Sequence, residues 1–346
     1  MYEQPGRSLL REMPRPRASE GSAVIRVHAC SVCGTDLRAW QHGNPRITPP
    51  RVTGHEVCGE IVEIGAGLDG FGVGDRVSVA PAIGCGACPA CRRGHTNLCE
   101  RLLTIGFQFD GGFAEYMEIP AVAFRGGNVY ATPEGVADED AVLAEPIACV
   151  VNGQEPLRIG AGDTVAVFGS GFIGCVHAEL ARMSGAKDVI LIEPNAERAE
   201  AAHALVPFTS LVVPGKVDLH AEVRRLTGGW GVDVVITACP AGQAQADAVA
   251  LAARRGRISL FGGLAGTSVG FLDSNLIHYK ELAIHGAHAS TARQNREVMG
   301  WIADGKLDVR KYVTRTYPLR DIEQAFHDLK GQSVFKAVVL PRQAAG

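Results

Sequence analysis

The most regular arrangement of apolar and polar positions lies between Thr164 and Pro194. Val165, Ala166, Val167 and Phe168 form a short unbroken apolar run, which predicts a strand buried on both faces. Beyond a glycine-rich turn, Ile173, Val176, Leu180 and Met183 recur at helical spacing, and Gly185 marks the helix stop. A second apolar run predicts a strand over 189–192 that ends at Glu193. Downstream, the pattern predicts strands over 232–237, 257–261 and 282–285 and a helix over 243–253. Strand alternating with helix implies a doubly wound parallel sheet with helices on both faces. Amphipathic helices follow over 294–302 and 322–329, and a strand over 335–340 closes the chain. The first third reads differently. Short runs over 23–27, 57–64 and 72–79 separated by Gly-rich turns predict an antiparallel barrel, and 107–119 has the same strand texture.

The turn after Phe168 places Gly169, Gly171 and Gly174 at G-x-G-x-x-G spacing. Gly169 permits the tight turn, Gly171 lets a pyrophosphate approach the backbone, and Gly174 allows the helix to pack on the strand. The helix start, through Phe172 and Ile173, offers its amides to phosphate. Glu193 stands 19 residues beyond Gly174, near where such a unit places the acid that accepts the ribose hydroxyls. Strand, turn, helix, strand and acid together predict a dinucleotide site. Cys175 and His177 within this helix read as packing residues.

At 346 residues the chain accommodates about two domains. A net charge of −3 provides no overall basic field for nucleic acid or acidic lipid. No apolar run reaches the length of a membrane span, and the first 22 residues lack an apolar core segment, so a cytoplasmic protein is expected. In that reducing setting the ten cysteines are tested first against metal binding.

Cys85, Cys88, Cys91 and Cys99 occupy a C-x2-C-x2-C-x7-C pattern in GCGACPACRRGHTNLC. Four thiolates in a short loop with no apolar core of its own predict a closed metal site, with zinc or an iron–sulfur cluster as the candidates. Cys33, His55 and Glu56 supply thiolate, imidazole and carboxylate, a set that suits a zinc ion with an open fourth position. Taken singly, Cys33 reads first as a buried core thiol and His55 as a satisfied barrel histidine. Glu145, inside the apolar stretch VLAEP, must meet a cation or a donor network if it is buried. Phe107 and Phe109 read as core residues ahead of a turn.

These motifs, CGTD, GHE, the four-cysteine lobe, DGGFAEY, AEP, GSGFIG and IEP, together resemble the zinc-dependent medium-chain alcohol dehydrogenases, in particular their sorbitol and threonine dehydrogenase branch. The resemblance covers almost the whole chain. It implies a GroES-like catalytic domain over 1–147 with a structural zinc lobe at 84–100, a Rossmann domain over 148–288, and a return to the catalytic domain over 289–346. It implies two zinc ions per chain: a structural ion on Cys85, Cys88, Cys91 and Cys99, and a catalytic ion on Cys33, His55 and Glu56. Glu145 then ligates directly or through water, Asp36 orients the ligand histidine, and Thr35 takes the substrate proton. Three positions depart from the pattern. The first strand is short, Arg38 replaces a histidine, and Ala289-Ser290 after His288 replace an Arg-Tyr pair that grips a polyol in sorbitol dehydrogenases.

The expected reaction is hydride transfer between a secondary alcohol and NAD, with Arg198 keeping NADP as the second candidate and Arg38 assigned to the cofactor pyrophosphate. A polyol, cyclitol or aminocyclitol is the first substrate class, with threonine and sugar phosphates as alternatives. A homodimer or homotetramer is expected, with no nucleic-acid or membrane partner. A zinc-binding interaction module is the non-enzymatic rival, for which Arg92 and Arg93 make a weak basic patch.

Overall fold

A computed structural model describes residues 1–206, 208–264, 270–332 and 334–342. The chain divides into two compact units, one made of Met1–Ala148 with Ala289–Gly346, the other of Cys149–His288.

In the second unit the strands Ser210–Val212, Asp188–Ile192, Thr164–Phe168, Val232–Thr237, Ala252–Leu260 and Ala283–Gly286 lie side by side in that order, all parallel. Chain order therefore reverses beside Thr164–Phe168, the strand that leads into the glycine turn. In open sheets of this kind, ligands bind at the carboxyl ends of strands where the order reverses. Val165, Ala166 and Val167 are fully buried, as the unbroken apolar run requires. The helix Phe172–Met183 buries Cys175 and His177 completely. Gln154 donates to both the ring Nδ1 and the carbonyl of His177, and burial pushes this histidine down to about 3, so it is a neutral core residue.

The first unit is built on a mainly antiparallel sheet in which Ala23–Ser31 and Glu56–Ile64 form the central pair. The returning chain contributes Val313–Pro318 and Lys336–Leu340, and the latter pairs antiparallel with Ala23–Ser31 at Ser31 and Cys30. This places a C-terminal strand directly beside the start of the CGTD motif. One sequence expectation fails here. Of 107–119 only Tyr116–Ile119 is a strand, because Gly111 and Gly112 fold the preceding residues into turns against the 52–54 segment. A Cβ at Gly111 would come within 2.1 Å of the Gly54 carbonyl oxygen. Likewise the strand expected over 72–79 begins only at Arg76, after a turn at Gly74 with φ +98°. Among the described residues, no helix is long and apolar enough to cross a membrane.

Candidate active site and its two metal-ligand clusters

Cys33 precedes the helix Gly34–His42 and caps it, its sulfur accepting from the Thr35 amide at 3.4 Å. Asp36 completes a capping box: its Oδ2 accepts from the Cys33 backbone N–H at 3.1 Å. Its other oxygen, Oδ1, lies 3.3 Å from Nδ1 of His55. One buried carboxylate thus fixes the backbone of one candidate ligand and the ring of another. Burial alone would lower the pKa of His55, but the charge of Asp36 at that distance, with Cys33 beside it, holds it well above the ordinary value.

His55 enters from Thr53 and Gly54, which are braced from the other side. Gly112 and Phe113 donate their amides to the carbonyls of Gly54 and Thr53 at 2.9 and 3.0 Å. The turn that displaced the expected strand therefore positions the histidine. Phe107, 7% exposed and packed with Tyr2, Ala39 and Ile47, also stands edge-on to the His55 ring at 5.9 Å, so this core residue borders the site as well.

Cys33, His55 and Glu56 each present a ligand atom within 4.8 Å of the others. Glu56 is fully buried. Its Oε2 accepts from the Ser31 hydroxyl and meets the ammonium of Lys336 at 2.6 Å, while Oε1 has no hydrogen-bond partner among the described residues. A buried carboxylate oxygen without a donor is costly unless something cationic completes it. Thiolate, imidazole and carboxylate in this grouping fit zinc. Glu145 is also buried, at 8% exposure, but does not belong to the 4.8 Å grouping. Arg38, on the same short helix as Thr35, is exposed.

Cys85, Cys88, Cys91 and Cys99 form the second grouping, again with sulfurs within 4.8 Å. Here the backbone does most of the positioning. The amides of Cys88, Cys91 and Arg101 point at the sulfurs of Cys85, Cys88 and Cys99 at 3.3 to 3.5 Å, and the Cys85 amide points at Cys99 at 3.2 Å. N–H donors from Ala87 and Cys88, with the Arg101 guanidinium, pull the Cys85 thiol down to about 6, while burial pushes Cys91 up to about 12. Four thiols with few apolar neighbours form a closed donor set, as a structural zinc site requires.

In the other unit, Gly169 at φ +96° makes the turn, and a Cβ at Gly174 would lie 1.8 Å from the Gly169 carbonyl oxygen. Glu193 is buried at the end of its strand. Oε2 accepts from both the amide and hydroxyl of Ser170 at 3.0 Å, and Oε1 accepts from the Asn195 amide at 3.0 Å. The acid is therefore tied to the glycine turn itself, a contact the motif spacing does not announce. Phe172 and Ile173 open the helix. The guanidinium of Arg198 lies against Gly171, 2.4 Å from where a Cβ would be.

Residues 19–125 match the GroES-like domain of alcohol dehydrogenases, and residues 173–304 match the zinc-binding dehydrogenase family. L-threonine 3-dehydrogenase from Pyrococcus abyssi is 35% identical over 95% of this chain and 94% of its own length. The chain belongs to the zinc-containing medium-chain alcohol dehydrogenases. It is a zinc-type, NAD(P)-dependent alcohol dehydrogenase acting on CH–OH groups. Its fold pairs a GroES-like domain with a six-stranded Rossmann sheet and carries the four-cysteine cluster. A non-enzymatic zinc module is thereby set aside. Among solved structures, a zinc-binding dehydrogenase from Sinorhizobium meliloti bound to NADP superposes on this dehydrogenase with a TM-score of 0.89 at 30% identity, covering 98% of this chain and 97% of that one. An Escherichia coli alcohol dehydrogenase complexed with NADH gives a TM-score of 0.89 at 29% identity, with the same coverage.

Proposed function

We propose that this dehydrogenase interconverts a secondary alcohol of the polyol, cyclitol or aminocyclitol type and its ketone, using NAD and two zinc ions per chain. The observation that carries the reading is the approach of Cys33, His55 and Glu56 to within 4.8 Å, with Asp36 behind the histidine. Zinc held there supplies a Lewis acid that lowers the pKa of a substrate hydroxyl. The chain's own residues do the rest. Asp36 keeps the His55 ring in one orientation, so Nε2 is the nitrogen left for the metal. The Thr35 hydroxyl, two residues from Cys33 at the helix start, accepts the substrate proton and passes it outward. Phe107 walls one side of the His55 ring and keeps water from it. Glu145 acts as a carboxylate beside the metal rather than a permanent ligand, because Cys33 and Glu56 already balance the charge of a divalent ion.

For the cofactor, Glu193 at the ribose end of the site favours NAD by repelling a 2′-phosphate. Arg198 beside Gly171 moderates that repulsion, and relatives of this chain are known with NADP and with NADH. L-threonine is the second substrate reading, favoured by the 35% identity to the Pyrococcus enzyme. The test is a screen of secondary alcohols, including L-threonine, with NAD and NADP, followed at the reduced nicotinamide absorbance together with zinc content. Two zinc ions and NAD-linked oxidation of a polyol or cyclitol are expected. One zinc ion and no turnover on any secondary alcohol would overturn the site assignment, whereas turnover of threonine alone would replace the substrate class.

A further inference from the structure

Lysine is rarely buried unless paired, yet Lys336 is 3% exposed and its side chain ends beside an equally buried Glu56. Its ammonium donates to the Val32 carbonyl at 3.1 Å and lies 2.6 Å from Oε2 of Glu56. A buried ammonium is tolerated only with a partner of opposite charge, and the Glu56 carboxylate is that partner. Val32 immediately precedes Cys33, so the same ammonium steadies the backbone leading to one ligand and the carboxylate of another.

We propose that Lys336 is a positioning and charge-offsetting residue of the metal site. It occupies Oε2 of Glu56, reserves Oε1 for the metal, and places one positive charge behind the ligands. The inference rests on reading Cys33, His55 and Glu56 as that site. When Glu145 approaches the metal, the thiolate and two carboxylates carry one negative charge in excess of a divalent ion, and Lys336 cancels it. The charge objection to Glu145 approaching the metal then falls away. The same positive charge repels the incoming ion, so the site holds zinc less tightly than its donor atoms alone would, and the metal keeps more of its pull on a substrate oxygen.

The test is zinc affinity, measured by chelator competition at pH 8 on protein that retains the lobe zinc, for the wild type, K336M, E56Q and E56Q/K336M. K336M is expected to bind zinc at least about tenfold more tightly than the wild type, a change of about 1.4 kcal/mol. The same lysine substitution in the E56Q background is expected to change affinity less than about twofold, because the ammonium is then no longer drawn against the ligand set by its charged partner. An unchanged or weaker affinity in K336M, or an equal shift in both backgrounds, overturns the proposal. Should K336M fail to fold, K336Q keeps a donor to Glu56 without the charge and carries the same comparison. If the wild type takes up no zinc beyond the lobe ion, the site reading fails first, a result distinct from any of these.

Discussion

In the four-cysteine lobe the contacts to sulfur come from the amides of residues 85–101 and from Arg101, all within one short stretch. Around Cys33, His55 and Glu56 they come from Asp36, Ser31 and Lys336, the last contributed by a strand near the end of the chain. The lobe has sulfur where a domain would have a core, so its metal and its fold form together. The other cluster sits in the barrel among buried hydrophobic residues and is held by a polar frame drawn from several elements, with Glu56 Oε1 left for an ion to complete. The first arrangement is expected to couple metal closely to stability, and the second far less.

The sharpest way to break this comparison is Cys88→Ser. Structural zinc in small sites contributes on the order of 10 kcal/mol to folding. The variant should lose one zinc and melt at least about 10 °C lower by calorimetry, and unchanged melting would show that the lobe stands without its ion. Cys33→Ser probes the opposite case. Serine also caps helices, so the Gly34–His42 helix start survives. Melting should stay within about 3 °C of the wild type with one zinc retained, while kcat/KM falls at least about 1000-fold, some 4 kcal/mol of transition-state stabilisation. A large loss of stability would place this cluster in the same class as the lobe.

Asp36→Asn sharpens the picture, since asparagine can still accept from the Cys33 amide but no longer presents a charge to His55. Zinc affinity or activity should drop about 10- to 100-fold with the fold intact. Equal affinity would mean that the histidine needs no charged partner. Arg38→Ala tests the exposed side of the same helix. If the guanidinium holds a cofactor phosphate, the KM for NAD should rise roughly tenfold. An unchanged KM for NAD, with loss confined to acidic substrates, would reassign Arg38 to the substrate.

The smallest expected effect concerns barrel stability rather than metal. Burial opposes the charge of Asp138, but hydrogen bonds from His28 and Arg76 and their charges overcome it and hold the carboxyl at about 2. A depressed carboxyl stabilises the fold above its unfolded pKa, near 3.8, and that contribution is lost as pH falls toward 2. Asp138→Asn should therefore melt a few degrees below the wild type between pH 5 and about 8, and the gap should close near pH 2. A gap independent of pH would assign Asp138 a role in packing alone.

The difference between the clusters also explains what the sequence disclosed. The lobe was legible because its four ligands lie within fifteen residues, and the glycine turn because strand, turn, helix and acid follow one another directly. CGTD and GHE marked Cys33, His55 and Glu56 as candidates, but only the fold brings residues 33 and 55 together. Lys336 left no readable trace. A lysine opening the apolar run KAVVL looks like the polar end of a strand, and its pairing with Glu56 depends on the strand docking beside Ser31. The segment 107–119 misled because its aromatic residues imitate a strand, while Gly111 and Gly112 answer to the close approach of Gly54. Arg198 was readable as a charge near the acid, but its seat against Gly171 was not.

Asp36 has a consequence for redesign. Because its two oxygens are divided between the Cys33 amide and the His55 ring, the relative placement of those two ligands is set by the opening turn of a nine-residue helix, not by the long loop that joins them. A protein engineer who varies the loop between Gly43 and Pro50 therefore keeps the Asp36 contacts to both ligands, provided that Ile47 stays seated against Phe107 and the turn at Gly112 and Phe113 still braces Thr53 and Gly54. The tetrapeptide Cys33 to Asp36 is, in that sense, one corner of the cluster, and a graft into another barrel would have to carry the Thr53 to Glu56 corner with it.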